Sequence, residues 1–223
     1  MNTSFSLDIS RFLCDREHKY IDFNELNDKS IEQLLDFFTT DRILDCIEEL
    51  NRIQIKDSFL TSEIPVFGSL DISINRVPEL LVFAENGLSF KELGKKLLNT
   101  DNEINSQKYG EVSAKTAEIV NLVKITNDHP KKALISQFGH HLLAYGAEDK
   151  KNLIKAIMLQ NAFIQSLVFH AVYSKEWSYY NWVNSLSETS RMRRRQNVRR
   201  LLRFILSDTG LQECENSIDW SIK

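Results

Sequence analysis

The sequence is short of the residues that punctuate and staple a chain. Seven glycines and three prolines in 223 residues leave few breakers, which disfavours the many short turns of an all-β protein and favours helices joined by short connections. Cys14, Cys46 and Cys214 are odd in number, far apart and without C-x-x-C spacing, so free thiols are expected in place of disulfides or a zinc site. No stretch approaches the roughly 18 consecutive apolar residues of a bilayer span, and MNTSFSLDISRF lacks the basic start and apolar run of a secretory signal. A cytoplasmic protein without a membrane partner is the expectation. Neither a G-x-x-x-x-G-K-(S/T) loop nor a G-x-G-x-x-G turn is present, so no nucleotide cofactor is expected. With 42% hydrophobic and 26% charged residues, the chain suits one large domain or two to three small ones.

What the chain has in excess is local positive charge. It carries a formal −3 overall, yet SETSRMRRRQNVRRLLRFI at 187–205 holds seven of its 28 basic residues. Seven Arg against one Glu give residues 187–206 a charge of +6, so the remainder sums to −9.

Residues 1–77 read as a mixed N-terminal segment of unassigned role. SIEQLLDFF and DRILDCIEELNRI place apolar residues at helical spacing, with Ser30 and Asp41 as N-caps, and KYIDF and RIQIK alternate as strands do. From Pro78 the pattern becomes regular. PELLVFAENG starts with Pro in a first turn and stops at Asn86–Gly87, LSFKELGKKLL opens with Ser89 and Glu92 in the capping-box relation, and KYGEVSAKTAEIVNLV is a third helix. LVKIT, NDHP and KKALIS then read as a β-hairpin with a charged tip. Three helices followed by a two-stranded ribbon is the order of a winged-helix domain, here residues 78–147. Residues 148–173 read as one long helix. After it come a short helix in SKEWSYYNWV capped by Ser174, the turn NSL, and the arginine helix capped by Ser187. Residues 148–223 are thus a second, helix-turn-helix module, and the expected fold class is mainly α.

On a helical wheel Val198, Leu201, Leu202 and Ile205 share an arc of about 100°, wide enough for a core face. Arg191, Arg194 and Arg195 continue that face, and the N-terminal half is expected to project from the core. Positive side chains in first turns oppose the helix macrodipole and repel one another, so stability alone does not select them. A recognition helix is built this way: Arg193, Arg194 and Arg195 are the candidates for base edges, while Arg199, Arg200 and Arg203 touch phosphate. In the first module Ser113, Lys115 and Thr116 are the candidates to face bases, with Lys124, Lys131 and Lys132 of the wing along the phosphates. The competing reading of the arginines is a solvated face, or one paired with acidic residues elsewhere.

KYGEVSAKTAEIVNLV, ALISQFGHHLL and LSETSRMRRRQNVRRLLRFI together resemble a group of bacterial tandem winged-helix modules over residues 78–206. Tyr109, Gly110, Glu111, Lys115 and Ala117 match its first motif; Thr189, Arg193 and Arg194 match its second, with Asn197 and Leu201 in place of its Thr and Trp. The resemblance implies DNA-binding regions attached to restriction enzymes and related defence or regulatory proteins, and adds Thr189 to the candidate DNA contacts.

Other chemistries have thinner support. EELNRIQIK and GSLDISINR do not supply the paired carboxylates and lysine of a magnesium-dependent nuclease. His140 and His141 point to different helix faces and lack a third ligand. Trp177, Tyr179, Tyr180 and Trp182 suit either core packing or stacking on single-stranded bases. The expectation is a double-stranded DNA-binding protein without catalytic residues, metal or cofactor, with a nuclease partner chain or a second copy of itself as further partners. The alternatives are a transcriptional regulator, or a nuclease or nuclease subunit whose active site lies in residues 1–77 or in a partner.

Overall fold

Side-chain caps decide most of the helix starts. In the computed structural model, which describes residues 6–100, 102–174 and 177–221, α1 (Ile9–Cys14) begins where Asp8 accepts the Arg11 N–H at 2.9 Å. Helices α2 (Asp28–Phe37) and α3 (Thr40–Glu49) start ahead of Ser30 and Asp41, because the side chains of Asn27 and Thr39 accept the N–H groups three residues on. A single π-type turn at Ile72–Arg76 leads into α4 (Val77–Leu81). Then come β1 (Leu88–Ser89), α5 (Phe90–Leu98), α6 (Glu103–Ile119), the hairpin β2 (Val123–Ile125) and β3 (Lys132–Ile135), and α7 (Gln137–Leu142). The last stretch holds α8 (Lys151–Met158), α9 (Ala162–Tyr173), β4 (Trp177–Ser178), α10 (Tyr179–Trp182), α11 (Glu188–Leu206) and β5 (Ile218–Asp219). With 57% helix and 6% strand, the protein is mainly α. No single helix among the described residues is long and apolar enough to cross a membrane.

The elements divide into two compact units. One gathers residues 6–21, 33–65 and 152–221, the other residues 22–32 and 66–151. The segment 1–77 therefore does not stand apart; its described residues are shared out because their apolar side chains complete both cores. Phe12 meets Phe38 with ring centroids 5.0 Å apart in the first unit, and Phe23 meets Phe138 at 4.9 Å in the second. KYIDF and RIQIK form no strand.

In the second unit the sheet order is β1-β3-β2, antiparallel throughout, with Leu88 opposite Ala133 and Lys124 opposite Leu134. The capping box forms as its spacing requires: Ser89 caps the Glu92 N–H while the Glu92 carboxylate takes the Ser89 N–H at 2.8 Å. Helix α6 starts five residues before Lys108, behind Asn102, so the stretch EINSQ is helical. Helices α5 and α6 meet backbone to backbone at two glycines. A Cβ on Gly94 would stand 1.8 Å from the Ser106 carbonyl oxygen, and one on Gly110 1.9 Å from that of Phe90.

In the first unit the long helix expected over residues 148–173 is broken, and α8 and α9 are bent by 99°. The Asn161 side chain causes a fresh start there by accepting from the N–H groups of Phe163 and Ile164. Ser174 ends α9 as its C-cap, residues 175–176 lie outside the described residues, and Ser178 precedes α10. Strand β4 pairs with β5 in parallel.

Gly110→Ala drives a methyl group into backbone that cannot swing aside. The expected cost is at the upper end of the about 1–3 kcal/mol typical of overpacking, read as a lowered urea midpoint. An unchanged midpoint would show that α5 and α6 do not depend on this approach.

Candidate nucleic-acid interface

Helix α11 is set by its inner face. Ser187 caps its start by accepting the Ser190 N–H, and Val198, Leu201, Leu202, Ile205 and Leu206 are wholly buried. At its C-terminal end the buried Lys155 ammonium donates to the Ser207 carbonyl at 2.6 Å, with the Asp208 carboxylate 3.7 Å away. A cation there complements the helix macrodipole.

The N-terminal half does not project. Arg191 donates to the Tyr180 carbonyl at 3.0 Å, Arg194 to Ile64 at 2.7 Å, and Arg195 to Trp220 at 3.0 Å. Their positions continue the apolar arc of the wheel, so their stems cover the same unit and their guanidinium groups end on backbone carbonyls. Burial raises the pKa of the enclosed Tyr179 hydroxyl, opposed by the charge of Arg194, and lowers that of the Arg194 guanidinium. Arg199 and Arg203 each bring Nε to the buried carboxylate of Glu215, Arg203 at 2.7 Å.

What remains outward is one stripe. Thr189, Met192, Arg193, Gln196, Arg200 and Arg203 are all exposed and span an arc of about 100° at 100° per residue, opposite the buried one. It holds three arginines; the exposed carboxylate of the helix, Glu188, stands beside it in the first turn. Arg193 returns its Nε to the Thr189 carbonyl at 3.4 Å.

The candidates in the second unit separate sharply. Ser113 and Thr116 are 1% and 0% exposed and do not face a ligand. Thr116 donates to the Val112 carbonyl and accepts the Gly68 N–H at 2.8 Å. Both lie on the inner side of α6 with Ala114 and Ala117. Lys115 is exposed and paired with Glu111 one turn earlier. In the hairpin Lys124 and Lys131 are exposed, and Lys132 is half-buried, its N–H on the Thr126 hydroxyl at 3.0 Å. The exposed hairpin tip closes a cleft of about 500 Å³ lined by Phe90, Lys91, Gln107, Glu111, His129 and Lys131.

The aromatic group packs internally. Trp182 stacks on Phe163 at 4.5 Å, Trp177 on His170 at 4.7 Å, and Tyr179, Tyr180 and Trp182 are buried. His141 pairs with Asp28, and no three His, Cys, Asp or Glu among the described residues converge on a metal-sized space. Glu215 and Trp220 carried no signal in the sequence: Glu215 is one of four acids after Leu206, and nothing in their spacing marks its target. No family model, curated protein or solved structure matches this chain.

Neighbouring arginines should behave oppositely. Arg194→Ala leaves the carbonyl of the buried Ile64 without its donor and costs about 1–3 kcal/mol, while Arg193→Ala stays within about 0.5 kcal/mol. Thermal or urea melts of the two variants check this; equal losses would contradict the division into inner and outer arginines.

Proposed function

We propose that this chain is a double-stranded DNA-binding protein that holds its target through the outer face of α11. The carrying observation is the stripe of Thr189, Arg193, Gln196, Arg200 and Arg203, exposed on a helix whose Arg191, Arg194 and Arg195 are spent on its own unit. Arginine's planar fork takes guanine edges or phosphate with two hydrogen bonds, and glutamine does the same for adenine. Base reading falls to Arg193, Gln196 and Arg200, since Arg194 and Arg195 already donate to carbonyls.

Topology supports the reading. Helix α4, strand β1, helices α5 and α6 and the β2–β3 hairpin, with β1 paired to β3, follow the order of a winged-helix module. The sequence strand, helix, helix recurs as β4, α10 and α11. There the return strand β5 is single and parallel, which supports a helix-turn-helix reading and gives no wing among the described residues. In the first module Lys124 and Lys131 suit phosphate contact. The outward residues of α6 include Lys108, Lys115, Glu111 and Glu118 and balance in charge. The resemblance of residues 78–206 to bacterial tandem winged-helix modules favours the sequence-reading component of a restriction or defence system.

Fluorescence anisotropy with a labelled duplex tests the reading. Neutralising four to five phosphates gives a slope of about −4 for log K against log salt. Arg193→Ala costs about 1–3 kcal/mol and relaxes preference at one base pair. A flat salt response, or no binding at low salt, would overturn the proposal.

A further inference from the structure

We infer that Glu215 builds a phosphodiester-binding site on α11 by aligning the guanidinium groups of Arg199 and Arg203. The inference rests on the DNA reading above and assigns one site within it. Arg199 and Arg203 lie one turn apart, and their like charges repel. Glu215, 4% exposed, resolves this by accepting the Nε–H of Arg199 on Oε1 and that of Arg203 on Oε2. The way it binds them matters. Use of Nε leaves the four N–H donors on each terminal amino pair, and among the described residues those pairs make no hydrogen bond. The two side chains remain 38% and 56% exposed.

The backbone that bears the carboxylate is itself held in place. The Trp220 indole N–H donates to the Glu215 backbone carbonyl at 3.1 Å, the Trp220 ring lies 5.9 Å from the Arg199 guanidinium carbon, and the Ser217 hydroxyl, two residues on, donates to the Ala171 carbonyl at 2.9 Å. Two guanidinium groups against one carboxylate leave the site with a net positive charge. Its outward donors come in planar forks matched to the oxygens of a tetrahedral, singly charged anion. A backbone phosphodiester has that chemistry, and the exposed Arg200 on the adjoining stripe extends the positive surface along the same strand.

Glu215 is a positioning residue, and the sign of one substitution distinguishes this from simple charge screening. Glu215→Gln removes a negative charge facing the polyanion, so screening alone predicts tighter DNA binding. Loss of alignment predicts the reverse: affinity for a 30-base-pair duplex falls about tenfold at 0.1 M salt, and the salt slope shrinks by about one, for the one phosphate no longer neutralised. Circular dichroism monitors the fold. Arg203→Lys, which keeps the charge but not the fork, carries the test should Glu215→Gln fail to fold; it is expected to weaken binding to the same degree. Where both fold, the double variant should lose little more than either single variant. Equal or tighter binding by Glu215→Gln, undiminished binding by Arg203→Lys, or additive losses would overturn the site while wild-type binding upholds the DNA reading. A wild type that does not bind the duplex overturns both.

Discussion

The burial of Val198, Leu201, Leu202, Ile205 and Leu206 sets the azimuth of α11, and the role of each arginine follows from it. With the apolar arc fixed inward, Arg191, Arg194 and Arg195 have nowhere to go but along the unit's own surface, where they find the carbonyls of Tyr180, Ile64 and Trp220. Arg193 and Arg200 are left outside by the same rotation. A desolvated guanidinium without a partner would be costly, so these carbonyls are a requirement of the fold as much as a consequence of it. Lys155 completes the arrangement by placing a second cation, beside Arg203 of the last turn, at the C-terminal end, where the helix dipole welcomes one.

The second unit is governed by closeness, not charge. Gly94 and Gly110 let α5 and α6 approach until carbonyl oxygens occupy the space of the missing side chains. This turns α6 so that its small residues face inward, which is why Ser113 and Thr116 are lost to any ligand. Gly110 belongs to the Tyr109-Gly110-Glu111 motif of the family resemblance, and its packing alone accounts for a glycine there.

Features governed by neighbours in sequence were legible. Ser89 and Glu92 lie three residues apart and cap each other; the β2–β3 hairpin announces itself through alternation and a turn-rich tip. Features governed by distant partners were not. The acceptor of Arg194 is 130 residues away and that of Arg195 is 25 away, so a charged residue on an apolar arc looked like a projecting one. Thr116 hides its polarity locally, by donating to the carbonyl one turn earlier, and so passed for a surface reader. The break at Asn161 was invisible because Leu153, Ile157, Ile164 and Leu167 keep helical spacing straight through it. On α11 the structure leaves Arg193, Arg200 and Arg203 exposed, whereas the places of Gln196 and Glu215 needed the fold.

Between Glu188 and Leu206 every basic residue is arginine; the helix contains no lysine and no histidine. Histidine is the side chain whose charge changes near neutral pH, and α11 has none to serve as such a switch. Ions that compete for the same forks would weaken what the surface holds, and methylation of an arginine would keep its charge while blocking paired hydrogen bonding.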